Sequence, residues 1–140
     1  MLIDEIKAAN IKAMKERDNV SRGVLSIVLT RYKNQEVELR AAGKEIGDKE
    51  LLSIIQKTIK ELSDEKEGYI KVGNMEKAND IAKQEEVLSS YLPKQLSQEE
   101  IKAIILSLED RSVPNVMKHF KMNYQGQVDM AIVNSVLRSL

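Results

Sequence analysis

The chain has 140 residues, 42% hydrophobic and 31% charged, the balance of one folded domain or two small ones rather than of a disordered tail. Lys and Arg number 22 against 22 Asp and Glu, so no bulk field draws the protein to nucleic acid or to an anionic membrane. Cysteine is absent and histidine occurs once, which excludes disulfide frameworks, thiolate chemistry, Cys-ligated zinc and any multi-histidine metal site.

No apolar run is long enough to span a bilayer. The start, Met1-Leu2-Ile3-Asp4-Glu5, lacks a basic segment followed by an apolar one. The expected compartment is the cytoplasm, with no membrane partner, no metal and no cofactor. Val, Ile and Thr fall at helical spacing without strand-like alternation, so the expected fold is all-α.

A first helix is predicted from Leu2 to about Glu16, with Leu2, Ile3, Ile6, Ala9, Ala13 and Met14 along one stripe. Asp18 and Asn19 break it and cap a second helix, about Val20 to Ala42, carrying Val24, Leu25, Ile27, Val28 and Tyr32. Gly43 is its stop. Asp48 caps a third helix from Lys49 to about Val72, whose seam reads Leu52, Ile55, Ile59, Leu62 and Tyr69. That spacing suits a long antiparallel partner. Gly73 ends it, and Asn74 starts a fourth helix with Met75, Ala78, Ile81, Ala82, Leu88 and Leu92, limited by Pro93.

After Pro93 the helices become short and clearly capped. Ser97-Gln98-Glu99-Glu100 is a capping box, with Leu96 and Ile101 at the staple positions. The fifth helix shows Ile101, Ile104, Ile105 and Leu108. Ser112 and Pro114 open a sixth with Val116, Met117 and Phe120. Past the loop Asn123–Gln127, Asp129 caps a last helix with Ile132, Val133, Val136, Leu137 and Leu140. The expected organisation is a long-helix hairpin region over residues 1–93, followed by a small three-helix domain over residues 94–140.

Reaction chemistry is hard to place on this sequence. His119 stands alone in Lys118-His119-Phe120-Lys121, and one ring without placed partners makes neither a triad nor a metal site. The carboxylates are interleaved with Lys on helix surfaces, a pattern of solvated i,i+4 pairing. The six glycines sit singly, so there is no phosphate loop. Near Gly126 the chain leads into a helix start that would suit an anion, but Asp129 already places a carboxylate there.

Charge placement says more. Between Lys7 and Lys33 lie Lys7, Lys12, Lys15, Arg17, Arg22, Arg31 and Lys33 against only Glu16 and Asp18, whereas acids outnumber bases from Glu36 to Glu86. Such a basic third can meet phosphates through counterion release. The competing reading is that it pairs with the acidic middle of the chain, since Tyr32 is the only aromatic interleaved there to stack bases.

Several stretches resemble the GatB/YqeY family over nearly the whole chain. They are Lys12-Ala13-Met14-Lys15 with Asp18, then Lys33-Asn34-Gln35-Glu36, then Tyr91-Leu92-Pro93-Lys94-Gln95-Leu96-Ser97, and in the tail Val116-Met117 through Gly126, Asp129, Val133 and Asn134. The resemblance implies a helical N-terminal region and a small C-terminal domain similar to the tail of the B subunit of glutamine-dependent aminoacyl-tRNA amidotransferases. It carries the label of carbon–nitrogen ligase activity with glutamine as amide donor. In those enzymes the chemistry resides in parts this chain is too short to include, while the tail is associated with holding tRNA. The chain departs from the family's pattern at Asn123, Gln125 and Gln127, where the family has basic residues, and the remaining tail candidates, Lys118 and Lys121, lie one turn earlier.

The sequence therefore points to a non-catalytic helical module that engages tRNA or a tRNA-handling enzyme. Lys118, Lys121 and Gly126 would form the tail contact, with Lys12, Lys15, Arg22 and Lys33 as a second basic surface. A protein–protein adaptor without nucleic acid is the alternative. An amide-forming or amide-hydrolysing enzyme rests on the family label alone, with no nucleophile–base pair to run it.

Overall fold

Apolar spacings of three and four residues are realised as seven α-helices and no strand in the computed structural model, which describes residues 1–140. The elements are α1 (Leu2–Lys15), α2 (Asn19–Ala41), α3 (Asp48–Lys71), α4 (Met75–Ser89), α5 (Gln98–Ser107), α6 (Val113–Asn123) and α7 (Met130–Arg138). They divide into two units, Met1–Tyr91 and Leu92–Leu140. No helix is long and apolar enough to cross a membrane.

In the first unit α3 pairs most extensively with α4, α1 packs on α2, and α2 also touches α3 and α4. The α1–α2 corner turns at Arg17, whose φ of 57° is the one positive value outside glycine. The Asp18 carboxylate then accepts the Ser21 backbone N–H at 3.1 Å and the Ser21 hydroxyl at 2.7 Å, satisfying donors a helix start leaves open. Gly43 and Gly73, with φ of 74° and 76°, end α2 and α3. There the Lys44 N–H reaches the Leu39 carbonyl at 2.7 Å, and the Asn74 N–H reaches the Tyr69 carbonyl at 2.9 Å. Both glycines occupy the left-handed conformation that closes a helix cheaply only without a Cβ.

Two expectations shift here. The cap of α3 is Gly47, not Asp48: the Glu50 carboxylate reaches back to accept the Gly47 N–H at 2.9 Å. That bond secures the first turn from inside and leaves Asp48 as its first helical residue. The buried stripe of α3 is Leu51, Ile54, Ile55, Thr58 and Leu62, rotated from the expected seam, with Leu52, Ile59 and Tyr69 only half-buried. A helix contacting α1, α2 and α4 buries the face that all three share. Thr58 is tolerated there because its hydroxyl donates to the Ile54 carbonyl at 2.8 Å and accepts from Arg31 Nη1 at 2.8 Å.

The rest of this core is aliphatic: Ile3, Ile6, Val24, Leu25, Val28, Ile81 and Leu88 are buried, with Tyr32 at its edge. Met14, Ile27 and Met75, expected on buried stripes, are instead 47%, 41% and 51% exposed. Ile27 stands two residues, about 200° around the helix, from Leu25. One of the two therefore faces outward. Lys66 Nζ lies 2.8 Å from Glu85 Oε1, an ion pair between α3 and α4.

The second unit closes around Ile101, Ile105, Val116, Phe120, Val128, Val133 and Val136, with Leu96 packed against them. The capping box at Ser97 is complete. Glu100 N–H donates to Ser97 Oγ at 3.1 Å and Ser97 N–H to Glu100 Oε1 at 3.2 Å. Ser112, expected to open α6, forms no side-chain cap. Its own N–H is instead held by Asp110 Oδ1 at 3.0 Å. Asp129 caps α7 through the Ala131 N–H at 2.9 Å.

Backbone and hydroxyl contacts from Ser97 hold the Glu100 carboxyl below its ordinary value, and Ser112 does the same for Asp110. A carboxylate whose pKa is depressed by folding stabilises the fold above its unfolded value, and that contribution is lost as pH falls through the folded one. The unfolding temperature of this unit is expected to drop as pH is lowered below about 4. Calorimetry should show a flatter acid limb in a Glu100→Gln/Asp110→Asn variant.

Candidate nucleic-acid interface

α6 is seated by Val116 and Phe120, both fully buried one turn apart. That fixes the opposite side of the helix as solvent-facing. Lys118 and Lys121, three residues apart, are exposed there beside Met122, which is 71% exposed. Their spacing puts two ammonium groups on one helix face, within reach of adjacent phosphates. Lys121 lies in the last turn of α6, where a cation also complements the helix dipole.

Gly126 is not part of that face. It is buried, with φ of 78°, and its carbonyl accepts from Gln95 Nε2 at 2.7 Å. The same amide nitrogen reaches the Pro93 carbonyl at 2.9 Å, and the Leu96 N–H donates to the Gln127 carbonyl at 2.9 Å. The turn after α6 is thus sewn to the segment leading into α5. Gly126 shapes this turn from within, whereas Lys118 and Lys121 lie outside it. Gln95, the residue that does the sewing, had no sequence signal beyond its place in the Tyr91–Ser97 stretch.

On the first unit, Lys12 and Lys15 are exposed in the last turn of α1. Arg22 and Lys33 are exposed on α2, eleven residues or about three turns apart, and so share a face. None of these four is in an ion pair. Arg31 is different: its Nη2 is 2.7 Å from Glu61 Oε2 while Nη1 holds Thr58. Pairing of the basic third with the acidic middle therefore occurs at Arg31 and leaves Lys12, Lys15, Arg22 and Lys33 free for solvent or a ligand. That clamp was not anticipated from the sequence, where the hydroxyl of Thr58 at an apolar position of α3 is its one signal.

His119 is half-buried in an aromatic corner. Its ring stands edge-on to Phe120 at 6.0 Å and lies 5.9 Å from Tyr124, while Phe120 and Tyr124 are 5.5 Å apart. Its Nδ1 lies 3.3 Å from the Asn123 amide nitrogen, and no carboxylate orients it. Packing against Phe120 and Tyr124 accounts for the position of this ring.

Two open clefts indent the first unit. One, about 290 Å³, is lined by Arg31, Gln35, Ile54, Lys57 and Glu61, of which Arg31 and Glu61 are paired with one another. The other, about 580 Å³, is lined by Asp18, Val20, Ser21, Lys83, Glu86, Val87 and Ser90. The Ser21 hydroxyl there is spent on capping through Asp18. Hydrogen bonding to Ser21 holds the Asp18 carboxyl below its ordinary value, which makes it a poor base. No three His, Asp or Glu side chains gather as metal ligands.

The YqeY family model, described as Yqey-like protein, matches residues 3–140. No curated protein matches the chain.

Proposed function

This chain belongs to the YqeY-like family, and from that premise we propose that it is a non-catalytic, tRNA-associated helical module. On this reading its second unit is related to the tail domain of the aminoacyl-tRNA amidotransferase B subunit. The observation that carries the proposal is the outward Lys118–Lys121 pair on a helix held rigidly by Val116 and Phe120. Lys12, Lys15, Arg22 and Lys33 offer a separate set of unpaired cations on the first unit. The carbon–nitrogen ligase label is read here as belonging to the larger enzymes, and neither of the two clefts described above sets a nucleophile beside a base.

A filter-binding titration of tRNA at about 50 and about 200 mM salt tests this. Lys118→Glu/Lys121→Glu is expected to weaken binding by about tenfold or more at the lower salt. It should also make the salt dependence shallower by roughly one to two phosphate contacts. Affinity no higher than that of a neutral control protein at low salt would end the RNA reading.

One structural observation favours the second reading, an adaptor for protein partners. Ile70, Val72 and Met75 are 46%, 76% and 51% exposed around the α3–α4 turn, an apolar tip of the kind that marks contact sites. Pull-down of a tRNA-handling enzyme that survives nuclease treatment and is lost in Val72→Glu would favour it.

A further inference from the structure

We propose that α2 is a self-association surface, on which a second copy of this chain docks antiparallel. Its seam is Gly23, Ile27, Thr30, Asn34, Val37 and Ala41, spaced alternately by four and three residues, the repeat of paired helices. All six are exposed. They lie on the side of α2 opposite Leu25 and Tyr32, which face the core, so the unit's own packing leaves them uncovered. No charge falls on this stripe in a chain that is 31% charged, although its largest members, Ile27 and Val37, are 41% and 56% exposed.

The identity of the occupant follows from the order of the residues. A two-fold axis midway between Thr30 and Asn34 sets Gly23 opposite Ala41, Ile27 opposite Val37, and Thr30 opposite Asn34. Small faces small, branched apolar faces branched apolar, and a hydroxyl faces a carboxamide that hydrogen-bonds to it. The seam is its own complement when reversed, as an isologous interface requires. A parallel pairing would instead set Gly23 against Gly23, leaving a void, and stack Asn34 on Asn34.

The flanks agree in part. Ser26 meets Arg40, and Arg31, which would meet its own copy, is already neutralised by Glu61 at 2.7 Å. Lys33 meets Lys33 across the axis, a repulsion that added salt relieves. The seam is about 27 Å long and holds one pair of large apolar layers. It belongs at the low end of stable interfaces, where association is expected in the range of tens to hundreds of micromolar.

Sedimentation equilibrium of the full chain from about 5 to about 500 µM is expected to show a reversible monomer–dimer equilibrium over that affinity range. Salt should tighten it, the opposite of its effect on RNA binding. Ile27→Glu should raise the dissociation constant about 100-fold, because the symmetry places each substituted residue twice in the interface. The chain has no cysteine, so the register is readable by cross-linking. Under mild oxidation, mixed Ile27→Cys and Val37→Cys chains should form the mixed disulfide. Each alone should not, because two copies of residue 27 lie about 15 Å apart along the axis, beyond disulfide reach. Circular dichroism is the check that the variants remain helical. If Ile27→Glu loses helicity, the cross-linking result decides. A monomer throughout, an association indifferent to Ile27→Glu, or 27-to-27 cross-links in place of mixed ones would overturn the proposal.

Discussion

Phe120→Ala is expected to unfold the C-terminal unit under conditions where the N-terminal unit stays folded. Phe120 is fully buried and is the chain's only phenylalanine. It packs among Ile101, Ile105, Val116 and Val133, with the Tyr124 ring tilted against it at 5.5 Å. Truncating such a ring costs about 3–5 kcal/mol, because the walls relax only partly into the cavity. A unit of about 50 residues without metal or disulfide rarely has more than about 3–5 kcal/mol to lose. Amide hydrogen exchange reads the outcome directly. Protection of α5, α6 and α7 should collapse while that of α2 and α3 persists, and equal loss in both units would show that they unfold together.

Gly126→Val is the second large effect. An L-residue in the left-handed region costs about 1–2 kcal/mol, and a branched side chain at φ of 78° adds strain of its own. The position is also buried, so new atoms must displace the turn that Gln95 holds at 2.7 Å. A loss of about 2 kcal/mol or more is expected in denaturant titration. The comparison with tRNA affinity is informative. If Gly126 acts by shaping the turn, Gly126→Ala weakens binding only in proportion to the molecules it unfolds, whereas Lys118→Glu/Lys121→Glu weakens it with the fold intact.

Local chemistry made most of the helix boundaries legible. Ser97 with Glu100, Asp18, Asn74 and Asp129 are short polar side chains at helix starts, and all four cap as their types require. Gly43 and Gly73 sit at positive φ where the apolar period stops. Facing was less legible. α2 carries two uncharged stripes, one through Leu25 and Tyr32 and one through Ile27 and Val37, and only the presence of α1, α3 and α4 decides which is covered. The same tertiary choice rotated the buried face of α3 and left Met14 and Met75 outside. At the candidate site, the outward facing of Lys118 and Lys121 follows from Val116 and Phe120 one turn apart. The interior role of Gly126 does not follow, because its partner Gln95 is 31 residues away and no local pattern announces a contact over that distance.

The stitch between the Pro93–Leu96 lead-in and the turn at Gly126 and Gln127 bears on how the two parts of the chain are tethered. Backbone leaving Tyr91 is fastened to its neighbour by the Gln95 and Leu96 bonds before it reaches the first residue of α5. Tension passed along the chain, from a bound polyanion or from a partner pulling on the first ninety residues, would therefore strain those two bonds before the helices themselves. The grip on the turn beside Lys121 would loosen first, a mechanical fuse at the doorway of the small unit.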